Sequence, residues 1–209
     1  MKKKKKTWKD RLILKEINPV IRLITLSDIM ILGGYGLISP IFAVFVTYQI
    51  RGGSVETAGI AMAIYAIAQS AFQIPVGILI DKIKGERDDF FTLFFGSLVF
   101  SIVPLFYLIV HTPMELYIVQ FFYGLATATT LPAWYAIFTR HIDKKHEGIE
   151  WGAYRTLVDV GGGIAALLGG YIAYHYSFAP LFMLVSLTSL IGTAFLLGIY
   201  RHMKPGKIF

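Results

Sequence analysis

Two long uncharged stretches meet at a short knot of charge. Residues 57–80 hold 24 positions without Asp, Glu, Lys or Arg, and residues 90–114 hold 25 more. Between them, seven of the nine residues 81–89 are charged. Apolar runs of this length match the ~20 residues that cross a bilayer once as a helix. The charged knot cannot enter lipid, so it is predicted to be a polar turn between two membrane spans. The remaining elements can be counted outward from it.

The rest of the chain repeats this clustering. Of 209 residues, 56% are hydrophobic and only 16% charged, against about 25% charged in soluble domains. The predicted class is therefore an all-α, multi-pass membrane protein. With no cysteine, disulfides, thiolate chemistry and Cys-ligated zinc are excluded. The five histidines show no ligand spacing, so neither a metal site nor a cofactor is expected. The net charge of +7 raises the question of nucleic acid, but nine of the 20 basic residues fall in the first 22 positions. A basic tail beside membrane spans holds its end in the cytoplasm and touches anionic lipid, which accounts for the charge without nucleic acid.

In chain order, residues 1–18 form a basic tail, in which Trp8, Leu12, Ile13 and Ile17 can share one side of an interfacial helix. Asn18-Pro19 reads as a helix start, with Asn as N-cap and Pro at the first position. Spans are predicted at about 23–49, 56–80, 90–110, 115–138, 151–174 and 178–200, making a bundle over residues 19–200. The last two come from 41 uncharged residues between Asp159 and Arg201, divided near Pro180. Ser54 is a candidate cap for the second span. Residues 139–150 are the longest predicted internal loop, and 201–209 a short basic tail.

Six spans put both termini on one side. The tail, the 81–89 and 139–150 loops and the C-terminal tail hold 9, 3, 3 and 3 basic residues. The three opposite loops hold one, Arg51. The positive-inside rule then places both termini in the cytoplasm, with the chain in the cell membrane.

The knot has an internal order. Gly77 lies one turn before Asp81, then come Lys82, Gly85 and Arg87. This resembles motif A of the major facilitator superfamily, Gly-x-x-x-Asp-Arg/Lys-x-Gly-Arg/Lys between the second and third spans. Tyr35–Pro40 in span one and Ser70–Gly77 in span two are similar to the same family, and the resemblance covers about residues 19–200. The sequence departs from the pattern at Lys84, one residue too many, and at Glu86, where a base is usual. Gln120-x-x-x-Gly124 stands where the family often has Arg-x-x-x-Gly, an arginine associated with proton coupling in several members. Residues 161–170 are similar to the antiporter motif C without its proline. The family normally has twice as many spans.

The resemblance implies a six-helix bundle with a three-plus-three inverted repeat, and a secondary transporter of a small solute, or half of one. Its partners are then the lipid bilayer, an unidentified small-molecule substrate and a second six-helix bundle. Gly77, Asp81, Lys82, Gly85 and Arg87 would help hold the cytoplasmic side closed. The alternative is a membrane interaction or scaffold protein derived from a transporter half. Nothing resembles an ATP site, and no paired acids, histidine cluster or Ser–His constellation points to an enzyme.

Several residues carry open alternatives. Arg155 and Asp159, four apart, can pair on one helix face, or one of them can face a water-filled cavity. Asp28 has the same two readings. Gln69, Gln73 and Gln120 either line a substrate path or bond to neighbouring helices. Tyr65, Tyr123, Trp134 and Tyr135 either contact substrate or face lipid. Gly161 and Gly169 flank Ala165, and Gly162 and Gly170 flank Ala166, at four-residue spacing. These two rows form a flat face for close packing or a moving interface. The Tyr-Gly-Leu triplets at Tyr35 and Tyr123 hint at the internal repeat, but their spacing to the next proline differs.

Overall fold

The computed structural model describes residues 17–82 and 85–203. The predicted interfacial helix around Trp8 and Leu12, Lys84, and the end of the C-terminal tail lie outside these residues. Among the described residues the structure is helical, without strands. Helix α1 runs Pro19–Ile38, followed by a 3-10 turn Ser39–Ile41 and α2, Phe42–Gln49. Then come α3, Val55–Lys82, α4, Arg87–Phe106, and α5, Pro113–His141. Helices α6, Glu147–His175, and α7, Phe178–Leu196, complete the bundle before a 3-10 turn at Tyr200–His202.

Local chemistry sets these boundaries. The Asn18 side chain accepts a hydrogen bond from the Val20 backbone N–H at 2.9 Å, with Pro19 at the first helical position. The Ser54 hydroxyl accepts from Thr57 N at 3.1 Å at the start of α3. At the start of α5, Thr112 and Glu115 form a reciprocal capping box. The first predicted span is interrupted at Pro40, which has no N–H to give to the preceding turn. The predicted 139–150 loop is shorter than its charge content suggests, because α5 runs on to His141 and α6 begins at Glu147. Arg140 and His141 in a last turn, and Glu147 and Glu150 in a first turn, each suit the helix dipole.

Among the described residues, five helical segments are long and apolar enough to cross a membrane: Pro19–Gln49, Val55–Lys82, Arg87–Phe106, Glu147–His175 and Phe178–His202. The fourth predicted span, about 115–138, lies in α5, which is 29 residues long but is not among them. Its sequence carries Gln120, Tyr123, Thr127 and Trp134, all buried in the bundle. Apolar composition understates a helix whose polar side chains point inward.

Helix α1 packs against α6 and α7, α5 packs against α3 and α4, and α4 packs against α7. Exchanging the first three long helices for the last three maps this set of pairs onto itself. Two apolar cores sit at opposite ends of the bundle. One includes Ile21, Ile24, Leu93, Ile137, Phe138 and Leu196. The other includes Phe45, Val46, Leu116, Leu181, Phe182 and Val185. Between them in the helix registers lie the buried polar residues Ser27, Asp28, Ser97, Ser101, Gln120, Thr127, Ser189 and Thr193. The Ser101 hydroxyl donates to Ser97 O at 2.7 Å and lies 3.0 Å from Thr193 Oγ1. The bundle is thus apolar at both ends and polar at its waist.

Candidate functional site

The charged turn is tied to α5. Gly77 sits in the last third of α3, where a Cβ would be 3.9 Å from Pro132 Cβ, an ordinary contact. Asp81 and Lys82 are exposed at the end of α3. The Gly85 carbonyl accepts a hydrogen bond from Arg140 Nη1 at 3.2 Å. The same Arg140 nitrogen pairs with buried Asp89, and His141 Nε2 lies 4.0 Å from Glu86 Oε2. Arg87 lies over the Tyr200 ring, 5.3 Å from its centroid, a cation–π distance. The turn therefore staples the start of α4 to the end of α5. Sequence reasoning missed Arg140 and Asp89. They are 51 residues apart and meet because α4 packs on α5.

At the waist, Asp28 of α1 is buried, at 8% exposure. Its Oδ2 accepts two hydrogen bonds, from Trp134 Nε1 of α5 at 2.8 Å and from the Tyr154 hydroxyl of α6 at 2.9 Å. Trp134 also packs against Tyr154, with ring centroids 5.3 Å apart, and against Trp151 at 5.9 Å. These residues line a cavity of about 270 Å³ that also reaches Ser27, Ser97, Phe100 and Thr130. Tyr154 was not singled out by sequence. It differs from the other tyrosines only through the two helices that face it.

Gln120 is buried, while Gln69 and Gln73 of α3 are half-buried. The Tyr65 hydroxyl donates to Thr127 Oγ1 at 3.2 Å. Tyr123 is enclosed by Phe100, Tyr65 and Tyr35, with centroids at 4.6, 5.6 and 6.3 Å. Tyr135 is 50% exposed, and Trp134 is buried.

Helix α6 carries the open charged face. Arg155 Nε donates to Asp159 Oδ2 at 2.9 Å, with the two side chains 69% and 52% exposed. The pair borders an open groove of about 400 Å³, together with Tyr35, Gly36, Ser39 and Gly162. The two glycine rows differ. A Cβ on Gly169 would lie 2.0 Å from Leu37 O, and one on Gly161 would meet Ile29 Cγ2 at 3.4 Å. A Cβ on Gly162 or Gly170 would meet open space. A Cβ on Gly36 would lie 2.9 Å from Gly162 O, and one on Gly124 would lie 2.4 Å from Tyr65 O. Gly36 thus brings α1 onto α6, and Gly124 brings α5 onto α3.

Long apolar helices enclosing a polar waist make this a multi-pass membrane protein. The chain belongs to the Major Facilitator Superfamily, whose family model matches residues 24–208. An uncharacterized MFS-type transporter of Methanocaldococcus jannaschii is 29% identical over 143 residues, which cover 68% of this chain and 36% of that protein. Among solved structures, the POT family transporter PepTSo matches 90% of this chain with a TM-score of 0.73 at 17% identity, and the match covers 38% of PepTSo. The chain therefore spans well under half the length of these two relatives, and the likeness to PepTSo shows the fold.

Proposed function

We propose that this chain is one six-helix bundle of a secondary-active transporter for a small solute, working by alternating access against a second six-helix bundle. Both termini lie in the cytoplasm, α5 crosses the cell membrane as the fourth span, and the solute is moved without chemical change. Family membership supports transport. The observation that carries the two-bundle reading is the Arg155–Asp159 pair, exposed on a helix apolar enough to span the membrane. A charged side chain facing lipid at mid-bilayer costs on the order of 3 kcal/mol. That face of α6 is therefore turned to water or to another protein surface. Helices α3 and α6 are also the least buried of the five apolar segments, as expected of the pair that meets a facing bundle.

In this reading Asp81 and Lys82, exposed at the end of α3, contact charged helix ends of the second bundle when the cytoplasmic side is closed. The second bundle is another copy, a separate chain, or a further part of a longer protein. The test is uptake in proteoliposomes, with a panel of labelled small cations, anions and neutral solutes under an imposed ion gradient. Uptake of at least one solute above protein-free vesicles is expected, with a loss in Asp81→Ala. Undiminished uptake by that variant removes the gating role. Gln120, in place of the arginine associated with proton coupling, favours the non-transporting scaffold reading, and that reading stands if no solute enters.

A further inference from the structure

We propose that the cavity over Asp28 is a binding site for a small organic ammonium ion, a protonated amine carrying an apolar group. The argument begins with charge. Both described hydrogen bonds to Asp28 come from neutral donors, the Trp134 indole and the Tyr154 hydroxyl, and both end on Oδ2. Among the described residues no lysine or arginine forms an ion pair with Asp28. Arg155 also lines the cavity, but its Nε is engaged by Asp159. The carboxylate is therefore solvated by dipoles and not neutralised by a protein cation. Burying such a group is costly, and a bound cation offsets that cost.

The walls select the kind of cation. Trp134 and Tyr154, which bond to the acid, line the cavity together with Trp151 and Phe100 and give it aromatic surface. Ring faces attract organic cations, and the same surface accepts an apolar substituent. Ser27 lines the cavity too, and its buried Oγ has no partner among the described residues. It offers a second acceptor to an ammonium N–H. A bare metal ion would need further carboxylates or histidines, and no such grouping occurs among the described residues. An anion would be repelled by Asp28, and a neutral solute would leave its charge unanswered. The volume of about 270 Å³ lies just below the usual range for ligand pockets and suits a small amine.

The assignment rests on the transporter reading only in making this ligand a substrate. Binding is measured separately, on the full chain purified in detergent. The probe is 2-phenylethylammonium, followed by calorimetry and by fluorescence, since Trp134 and Trp151 line the cavity. Saturable binding is expected, with 2-phenylethanol and phenylacetate about tenfold weaker or absent. Asp28→Asn is expected to weaken the ammonium ion by about tenfold or more, equivalent to ~1.4 kcal/mol. If that variant unfolds, the comparison of the three probes on the wild type still decides. No saturable binding of the ammonium ion, equal binding of all three probes, or undiminished binding by a folded Asp28→Asn protein each overturns the site. Ammonium binding without uptake of any solute would sink the transporter reading and leave the site. Uptake of another solute without ammonium binding would do the reverse.

Discussion

At the scale of single residues, the bundle depends on a few points where backbones nearly touch. Lipid gives helices little hydrophobic reason to associate, so close packing of small residues has to supply the attraction. Gly169 is such a point, since any side chain there would overlap the Leu37 carbonyl of α1. Gly162, seven residues earlier on the same helix, has open space where its Cβ would be. Gly169→Val is expected to lower stability by roughly 1–3 kcal/mol through overpacking. Gly162→Ala is expected to be neutral or slightly stabilising, because alanine is the better helix former. Thermal unfolding of both variants in one detergent checks the contrast, and equal shifts would remove the distinction between the two rows. At the waist, Trp134→Phe keeps the ring contacts but removes the indole donor to Asp28. It is expected to cost about 1 kcal/mol by the same measurement.

At the scale of elements, the charged turn has a structural task that its order did not reveal. Arg140 joins the last turn of α5 to the Gly85 carbonyl and the Asp89 carboxylate at the start of α4. Asp89 is fully buried, so removing Arg140 leaves a buried acid without its cation. Arg140→Ala is expected to destabilise the protein by about 2 kcal/mol, reduced from a fully buried pair because Arg140 is itself partly exposed. Arg140→Lys is expected to recover part of the loss, since a lysine keeps the charge but not the planar fork. Melting temperatures of the two variants test this, and an unaltered Arg140→Ala protein would refute the staple. Packing also gives meaning to the two Tyr-Gly-Leu triplets. Gly36 seats α1 on α6, and Gly124 seats α5 on α3. These are equivalent contacts when the first three long helices are exchanged for the last three.

At the scale of the whole molecule, α5 decides the topology. If it crosses the membrane, the 107–112 and 142–146 segments lie on opposite sides; if it does not, they lie on the same side. The chain has no cysteine, so single introduced cysteines report without background. His111→Cys is expected to react with an impermeant thiol reagent from outside intact cells. Lys144→Cys is expected to react only after the membrane is permeabilised. Labelling of both from outside would contradict the six-span arrangement and the cytoplasmic placement of the termini. The low apolarity of α5 does not argue against a crossing, because Gln120, Tyr123, Thr127 and Trp134 are spent on contacts inside the bundle.

The sequence by itself determined the long helices, though not the interruption at Pro40. Uncharged runs fixed where the chain can lie in lipid, and Asn18-Pro19 and Ser54 fixed two helix starts through local hydrogen bonding. Those signals act over a few residues, so one chain segment contains them. The family was legible from the Gly77–Arg87 order for the same reason. Only tertiary structure decided which polar groups meet. Asp28 and Tyr154 are 126 residues apart, and Asp28 and Trp134 are 106. No periodicity links them, because a hydrogen bond between helices depends on which faces are turned together. The charged turn was legible from sequence as a break between two apolar runs, but its bond to Arg140 required the packing of α4 on α5.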